Sequence, residues 1–309
     1  MRVLVAGGTG VLGRRLVPRL VARGHEVAAT TTRPAKLELL RELGAKGLVM
    51  DGLDGARVGE VVAEVAPDVI VHEMTAIAPD HAGKPDMRNF DRWFAPTIRL
   101  RTEGTDHLLA AAAATGVRHV VAQSFGAFNG IREGGWVKTE EDPLDPYAGT
   151  PAETGMAAIQ HLEAAVVASG GVALRYGSLY GPGATDDQVE LVRKRFFPLV
   201  GSGAGHCSWV HLDDAASATV LAIEQKASGV YNIGDDEPAP ASEWLPHLAA
   251  CAGAKPPRRI PVWLARLVAG EVVVAMMTEG RGFDNGKARR ELGWEPRYAS
   301  WRQGFAAIA

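Results

Sequence analysis

The chain reads as an α/β protein built on a doubly wound parallel sheet with a smaller C-terminal lobe, and three observations predict this. Short apolar runs alternate with helical patterns through the first 180 residues. The runs are continuously apolar rather than alternating in and out, as suits strands covered on both faces. Beyond Tyr180 the pattern loosens, and prolines and tryptophans become frequent. A β-α alternation of this kind implies right-handed crossovers and a parallel sheet.

The strands expected in order are 2–6 (RVLVA), 26–30 (EVAAT), 47–50 (GLVM), 68–72 (DVIVH), 119–123 (HVVAQ) and 172–176 (VALRY), with a further short one at 229–233 (GVYNI). Between them Leu12, Leu16 and Leu20, then Leu39 and Leu43, then Met156, Ile159, Leu162 and Val166 recur at helical spacing. Residues 1–177 plus 209–233 are expected to form the sheet domain, and 178–208 plus 234–309 the smaller lobe. The apolar stretch 262–277 is too short to cross a bilayer, is interrupted by Arg266 and Glu271, and reads as one buried or lid-forming helix.

With 47% apolar and 22% charged residues and a net charge of −3, the chain gives no reason to expect nucleic acid or a membrane as partner. Cys207 and Cys251 fit no metal or redox spacing and read as buried thiols in a reducing cytoplasm, with no targeting segment before the first strand. The nine histidines show no ligand spacing, so no metal site is expected.

The first functional signal is the stretch VLVAGGTGVLGRRL, which sets Gly7, Gly10 and Gly13 after the first strand and into the start of a helix. One glycine permits a tight turn, one a close approach of backbone to pyrophosphate, and one close helix–strand packing. The loop residues Thr9, Val11 and Leu12 then lie at a helix N-terminus whose free N–H groups attract phosphate. An acidic residue about 20 positions on would accept the ribose hydroxyls of NAD. The chain has Thr32, Arg33 and Lys36 there instead, which favours the 2′-phosphate of NADP, with NAD still possible. Asp51, followed by Gly52, closes the third strand and is placed to accept a hydrogen bond from adenine.

The spacing in GGTGVLG, together with DVIVHEMTA (68–76), the segment 103–124, LRYGSLYGPG (174–183), WVHLDDAASA (209–218), GVYNIGDDEP (229–238) and 291–305, resembles the extended short-chain dehydrogenase/reductases, the NAD-dependent epimerase/dehydratase family. The likeness runs in order over nearly the whole chain. It implies a Rossmann domain with a small substrate lobe, Met74, Thr75 and Ala76 lining the cofactor, and Ser124 near the nicotinamide. It also implies a homodimer through the helices of 103–115 and 153–168, and a small-molecule substrate.

Chemistry in that family rests on Ser/Thr, Tyr and Lys, the last two four residues apart on one helix. Here no lysine occurs between Lys138 and Lys194. Anchored on Glu163, the pair falls on Gly155 and Ile159; anchored on Tyr147, the lysine becomes Pro151. An unassisted tyrosine keeps a pKa near ~10 and is a poor base at neutral pH. Replacement candidates are Ser124, Tyr147, His72 and Tyr176, the last closing the sixth strand where a residue can face the nicotinamide; Glu73 closes the fourth strand beside His72, His206 and Trp209 flank the lobe junction, and His211 reads as a structural partner of Asp213. Three functions remain open: an NADP-dependent reductase or epimerase/dehydratase-like enzyme with a relocated proton donor, a non-redox isomerase or lyase on the same fold, and a non-catalytic NADP sensor.

Overall fold

The computed structural model describes residues 1–77, 83, 86 and 89–308. Seven strands form one parallel sheet: β1 (Arg2–Ala6), β2 (Glu26–Thr31), β3 (Lys46–Val49), β4 (Val69–His72), β5 (His119–Phe125), β6 (Val172–Tyr176) and β7 (Gly229–Ile233). Their order is β7-β6-β5-β4-β1-β2-β3, and every pair is parallel. The expected strands agree to within a residue or two, and β5 runs on to Phe125. The chain leaves β1 toward β2 on one side and returns to β4 on the other. That reversal opens a crevice at the carboxyl ends of β1 and β4, where sheets of this type bind ligands.

Both faces of the sheet are covered, which is why its strands are apolar throughout. On one face α1 (Gly13–Ala22) and the late helix Leu212–Glu224 bury Leu12, Leu16, Leu20, Leu212, Ala216 and Val220. On the other face lie α2 (Gly55–Val65), α3 (Phe90–Arg101), α4 (Glu103–Thr115) and α5 (Glu153–Ala168). There Val58, Val62, Leu108, Ala112, Leu162 and Val166 pack on Leu4, Ile70 and Val120. The short helix Leu37–Glu42 adds Leu40 to the first of these cores.

A separate cluster gathers Tyr180, Val189, Leu199, Trp209, Trp244, Leu248, Trp301 and Phe305. Its centre is a set of edge-on aromatic contacts, Trp209 with Trp244 and Phe305 at 5.0 Å each. Trp209 belongs to this cluster, whereas Val210 and Leu212 face the sheet. The stretch expected as one helix over 262–277 is instead two, Val262–Ala269 and Glu271–Thr278. The break is at Gly270, whose φ of 88° no helical residue adopts, and an Arg266–Glu271 ion pair spans it at 2.9 Å. The second helix is mostly buried, while Trp263, Leu267 and Val268 of the first are exposed. Among the described residues no helix is long and apolar enough to cross a membrane.

Candidate functional site

The loop after β1 is held by backbone geometry that only glycine allows. Gly7 has a φ of 99°, and a Cβ there would sit 2.8 Å from the backbone of Glu73. A Cβ on Gly13 would sit 2.6 Å from the Gly7 carbonyl oxygen, so this glycine lets helix and strand meet. Gly10 is different, since a Cβ there meets only the Gly7 oxygen, at 3.3 Å. Packing inside the protein therefore constrains Gly10 less than Gly7 or Gly13, through one tight contact. The open surface it leaves fits a pyrophosphate, and the amides of Thr9, Val11, Leu12 and Gly13 make no hydrogen bond among the described residues.

Two threonines at the end of β2 lock this loop. The Gly7 amide donates to the Thr30 hydroxyl at 3.2 Å, and the Thr9 hydroxyl donates to that of Thr31 at 3.3 Å. Thr31 also accepts from the Arg33 amide at 3.2 Å, which starts the turn carrying Arg33 and Lys36. Thr32 is exposed, and Arg33 and Lys36 are half-buried at the outer rim of the crevice. Asp51 is exposed, with one carboxylate oxygen accepting from the Leu53 amide at 3.0 Å. Gly52 is buried, and a Cβ on it would strike the Met74 sulfur at 2.6 Å. Met74 and Ala76 are buried, Thr75 is half-buried, and the Ala76 amide donates to Thr97 of α3 at 3.1 Å. On the lobe side, Gly183 approaches Val11 of the loop.

The four residues expected to replace the proton relay do not converge. Strand parity places His72 and Ser124 on the α5 face of the sheet and Tyr176 on the opposite face. His72 is locked. Its Nδ1 accepts from the Met74 amide, its Nε2 bonds the Leu100 carbonyl at 3.2 Å, and burial holds its pKa down at about 4. Neutral and fully hydrogen-bonded, it has no proton to spare near neutral pH. Tyr147 lies between α5 and the helix Glu271–Thr278, packed with Leu144, Met156, Ile159 and Val272. Its φ of 50° is a left-handed conformation held by the Asp145 carboxylate, which accepts from the Tyr147 amide at 2.7 Å. The Tyr147 hydroxyl has no partner among the described residues, the Arg132 guanidinium covers its ring at 4.8 Å, and burial pushes its pKa up.

Tyr176 is fully buried and bonds Thr219 at 2.6 Å and Glu73 at 3.3 Å. Burial raises its pKa far above the ordinary value. Glu73 is 6% exposed, its Oε2 has no partner among the described residues, and burial lifts its pKa to about 8, so at neutral pH it is a carboxylic acid.

On the α5 face the chain builds a charged network that sequence reasoning touched only through Ser124 and Glu163. Ser124 donates to Glu163 at 2.5 Å. Arg175, beside Ser124 on β6, grips both oxygens of Glu163 at 2.8 and 2.7 Å. Arg101, at the end of α3, is 5% exposed beside this pair, with its guanidinium 5.3 Å from the Phe94 ring. Desolvation lowers its pKa to about 10, against the pull of Glu163. A Cβ on Gly155 would touch Phe90 and Phe94, so aromatic rings of α3 fill the space beside the start of α5. Helix α5 itself carries neither tyrosine nor lysine. Elsewhere Trp136 stacks on His206 at 5.0 Å with Arg281 over it at 3.9 Å, and His211 accepts from the Asp213 amide at 3.1 Å. No group of three or more His, Cys, Asp or Glu side chains among the described residues could hold a metal ion.

A glycine turn feeding a helix at the switch point of a parallel sheet, with loop amides left unbonded among the described residues, defines a dinucleotide-binding α/β protein. Comparison with known proteins narrows this. The family model described as "NAD dependent epimerase/dehydratase family" matches residues 3–234. A "3-diazoavenalumate denitrifying reductase" from Streptomyces sp. is 43% identical over 312 residues, covering 99% of each chain. A "2-alkyl-3-oxoalkanoate reductase" from Stenotrophomonas maltophilia is 29% identical, covering 82% of this chain and 76% of its own. A human epimerase family protein solved with NADPH shares the fold, with a TM-score of 0.76 at 21% identity over 100% of this chain and 99% of that one. The chain belongs to the NAD dependent epimerase/dehydratase family. It is an NAD(P)-dependent enzyme of the reductase/epimerase type.

Proposed function

We propose that this protein is an NADPH-dependent reductase whose substrate accepts hydride without needing a proton from the enzyme, and that this substrate is a diazo-substituted aromatic carboxylate. The observation that carries the reading is the state of the hydroxyls around the crevice. Helix α5 has no tyrosine or lysine, and Tyr147 and Tyr176 are buried with raised pKa values. Ketone reduction makes an alkoxide that must be protonated, and none of these groups is an efficient acid–base catalyst near neutral pH. A diazonium group is already electron-poor. Hydride adds to its terminal nitrogen to give an aryl diazene, which releases dinitrogen as its N–H hydrogen passes to the ring carbon. The 43%-identical relative, named for reductive removal of nitrogen from 3-diazoavenalumate, supports this substrate class.

The bound nicotinamide dinucleotide supplies the hydride. In this reading Gly7, Gly10, Gly13 and the amides of Thr9, Val11 and Leu12 hold its pyrophosphate. Arg33 and Lys36 take the 2′-phosphate, and Asp51 and Gly52 border the adenine. Met74, Thr75, Ala76 and Ser124 line the path toward the nicotinamide, and the lobe of 178–208 and 234–309 closes over the substrate. We also read the protein as a cytoplasmic homodimer paired through the helices of 103–115 and 153–168, for which light scattering is the check; a monomer at micromolar concentration refutes it.

The decisive experiment supplies NADPH and an ortho-diazo hydroxycinnamate to the purified protein, and follows loss of the nicotinamide absorbance together with dinitrogen release. Stoichiometric dinitrogen and NADPH consumption is expected, with a panel of ketones left nearly untouched. Faster reduction of any ketone than of the diazo compound overturns the reading.

A further inference from the structure

Buried charges in folded proteins are paired, because an unpaired one forfeits its hydration with nothing in return. Arg101 breaks this rule. It is 5% exposed, its Nη1 is enclosed without a partner, and its guanidinium makes no hydrogen bond among the described residues. Among the described residues the carboxylate that pulls on it, Glu163, is already engaged: Oε1 accepts from Ser124 and Arg175, and Oε2 from Arg175. His72, which also feels the Arg101 charge, is held neutral. Two guanidiniums therefore share one carboxylate, which leaves a surplus positive charge.

The place of this charge is fixed firmly. Leu100, the residue before Arg101, gives its carbonyl to His72 at the end of β4, and Thr97 one turn earlier holds the Ala76 amide. Arg101 thus lies behind the 72–76 loop, within reach of the charge of Glu163, the carboxylate that Ser124 bonds near the end of β5. A dinucleotide with its pyrophosphate on the β1 loop and its adenosine toward β2 and β3 must lay its nicotinamide half over β4 and β5. The oxidised nicotinamide ring is a cation, and the reduced ring is neutral.

We propose that Arg101 is a specificity-determining residue for the redox state of the cofactor: its uncompensated charge beneath β4 and β5 favours NADPH over NADP⁺ and so biases the site toward reduction. This rests on the cofactor reading given above but not on the substrate. It also gives Arg101 a reason to remain buried and unpaired, since a carboxylate partner would cancel the discrimination.

Calorimetric titration of the full-length protein with NADPH, NADP⁺ and the adenosine bisphosphate half of the cofactor tests it. For the wild type NADPH should bind tighter than NADP⁺ by on the order of tenfold, the scale of a like-charge repulsion at a partly buried site. Arg101→Met should bring that ratio close to one, mainly by tightening NADP⁺, and Arg101→Lys should preserve it. The adenosine bisphosphate half, which carries no ring charge, should bind all three proteins alike. Arg101→Gln serves as a second neutral variant should the first not fold. A wild-type ratio near one, an unchanged ratio in either neutral variant, or unfolding of both neutral variants would overturn the proposal. Failure of the wild type to bind any of the three ligands would instead sink the cofactor reading itself.

Discussion

Replacing Glu73 by glutamine tests how completely the crevice floor excludes water. The carboxyl is 6% exposed, accepts one long bond from Tyr176, and leaves its Oε2 without a partner. Burial lifts its pKa from 4.5 to about 8. With the folded value above the unfolded one, the folded protein keeps a proton that the unfolded chain releases, so stability falls as pH rises across that interval. It is greatest below the unfolded value and levels off above the folded one. Each tenfold gain in proton affinity on folding is worth about 1.4 kcal/mol, so the full effect approaches ~5 kcal/mol, and local relaxation will reduce it.

Glu73→Gln keeps the shape and the acceptor for Tyr176 but removes the titration. Urea unfolding at about pH 5 and about pH 8 should show the wild type losing roughly 3 kcal/mol more than the variant over that range. Asp235, also buried and raised to about 8, slopes the same way in both proteins and cancels in the difference. Parallel pH profiles for the two proteins would show that Glu73 ionises normally in the folded state, and the dry floor would be refuted.

Other perturbations separate support from binding. Gly10→Ala should fold normally yet lose NADPH affinity at least tenfold by titration. Gly13→Ala, whose Cβ would lie 2.6 Å from the Gly7 oxygen, should destabilise the apoprotein by about 1–3 kcal/mol in urea. Arg33→Ala should weaken NADPH far more than NADH in fluorescence titrations, and equal losses would remove the phosphate-clamp assignment. Glu163→Gln strands Arg175 as well as Arg101 and should cost about 3–5 kcal/mol of stability, measured by chemical denaturation.

The sheet was legible because burial on both faces leaves a continuous apolar record in each strand, and the glycine loop because its backbone tolerates nothing else. Neighbours in space were harder to read. Arg101 ends a helix with Arg92 and Arg99 on it, and reads like any solvated arginine until α3 packs on α5. Arg175 offered a usable signal, a charge within an apolar strand, as did Glu163 in an alanine-rich helix. The break at Gly270 was visible as a glycine between two apolar runs, yet hydropathy smoothed over it. Tyr176 looked reachable from its place at a strand end; the pleat decides which face it meets, and it meets the interior.

The threonine latch on the glycine loop bears on any effort to retune this protein for a different nicotinamide nucleotide. An acidic residue placed at position 30 or 31 would put a carboxylate at a buried position, and once turned toward a ribose it could no longer accept from Gly7 or Thr9. Nucleotide preference and loop rigidity are thus coupled at those two positions and separable only further along, at Thr32 and Arg33, where a swap leaves the latch closed.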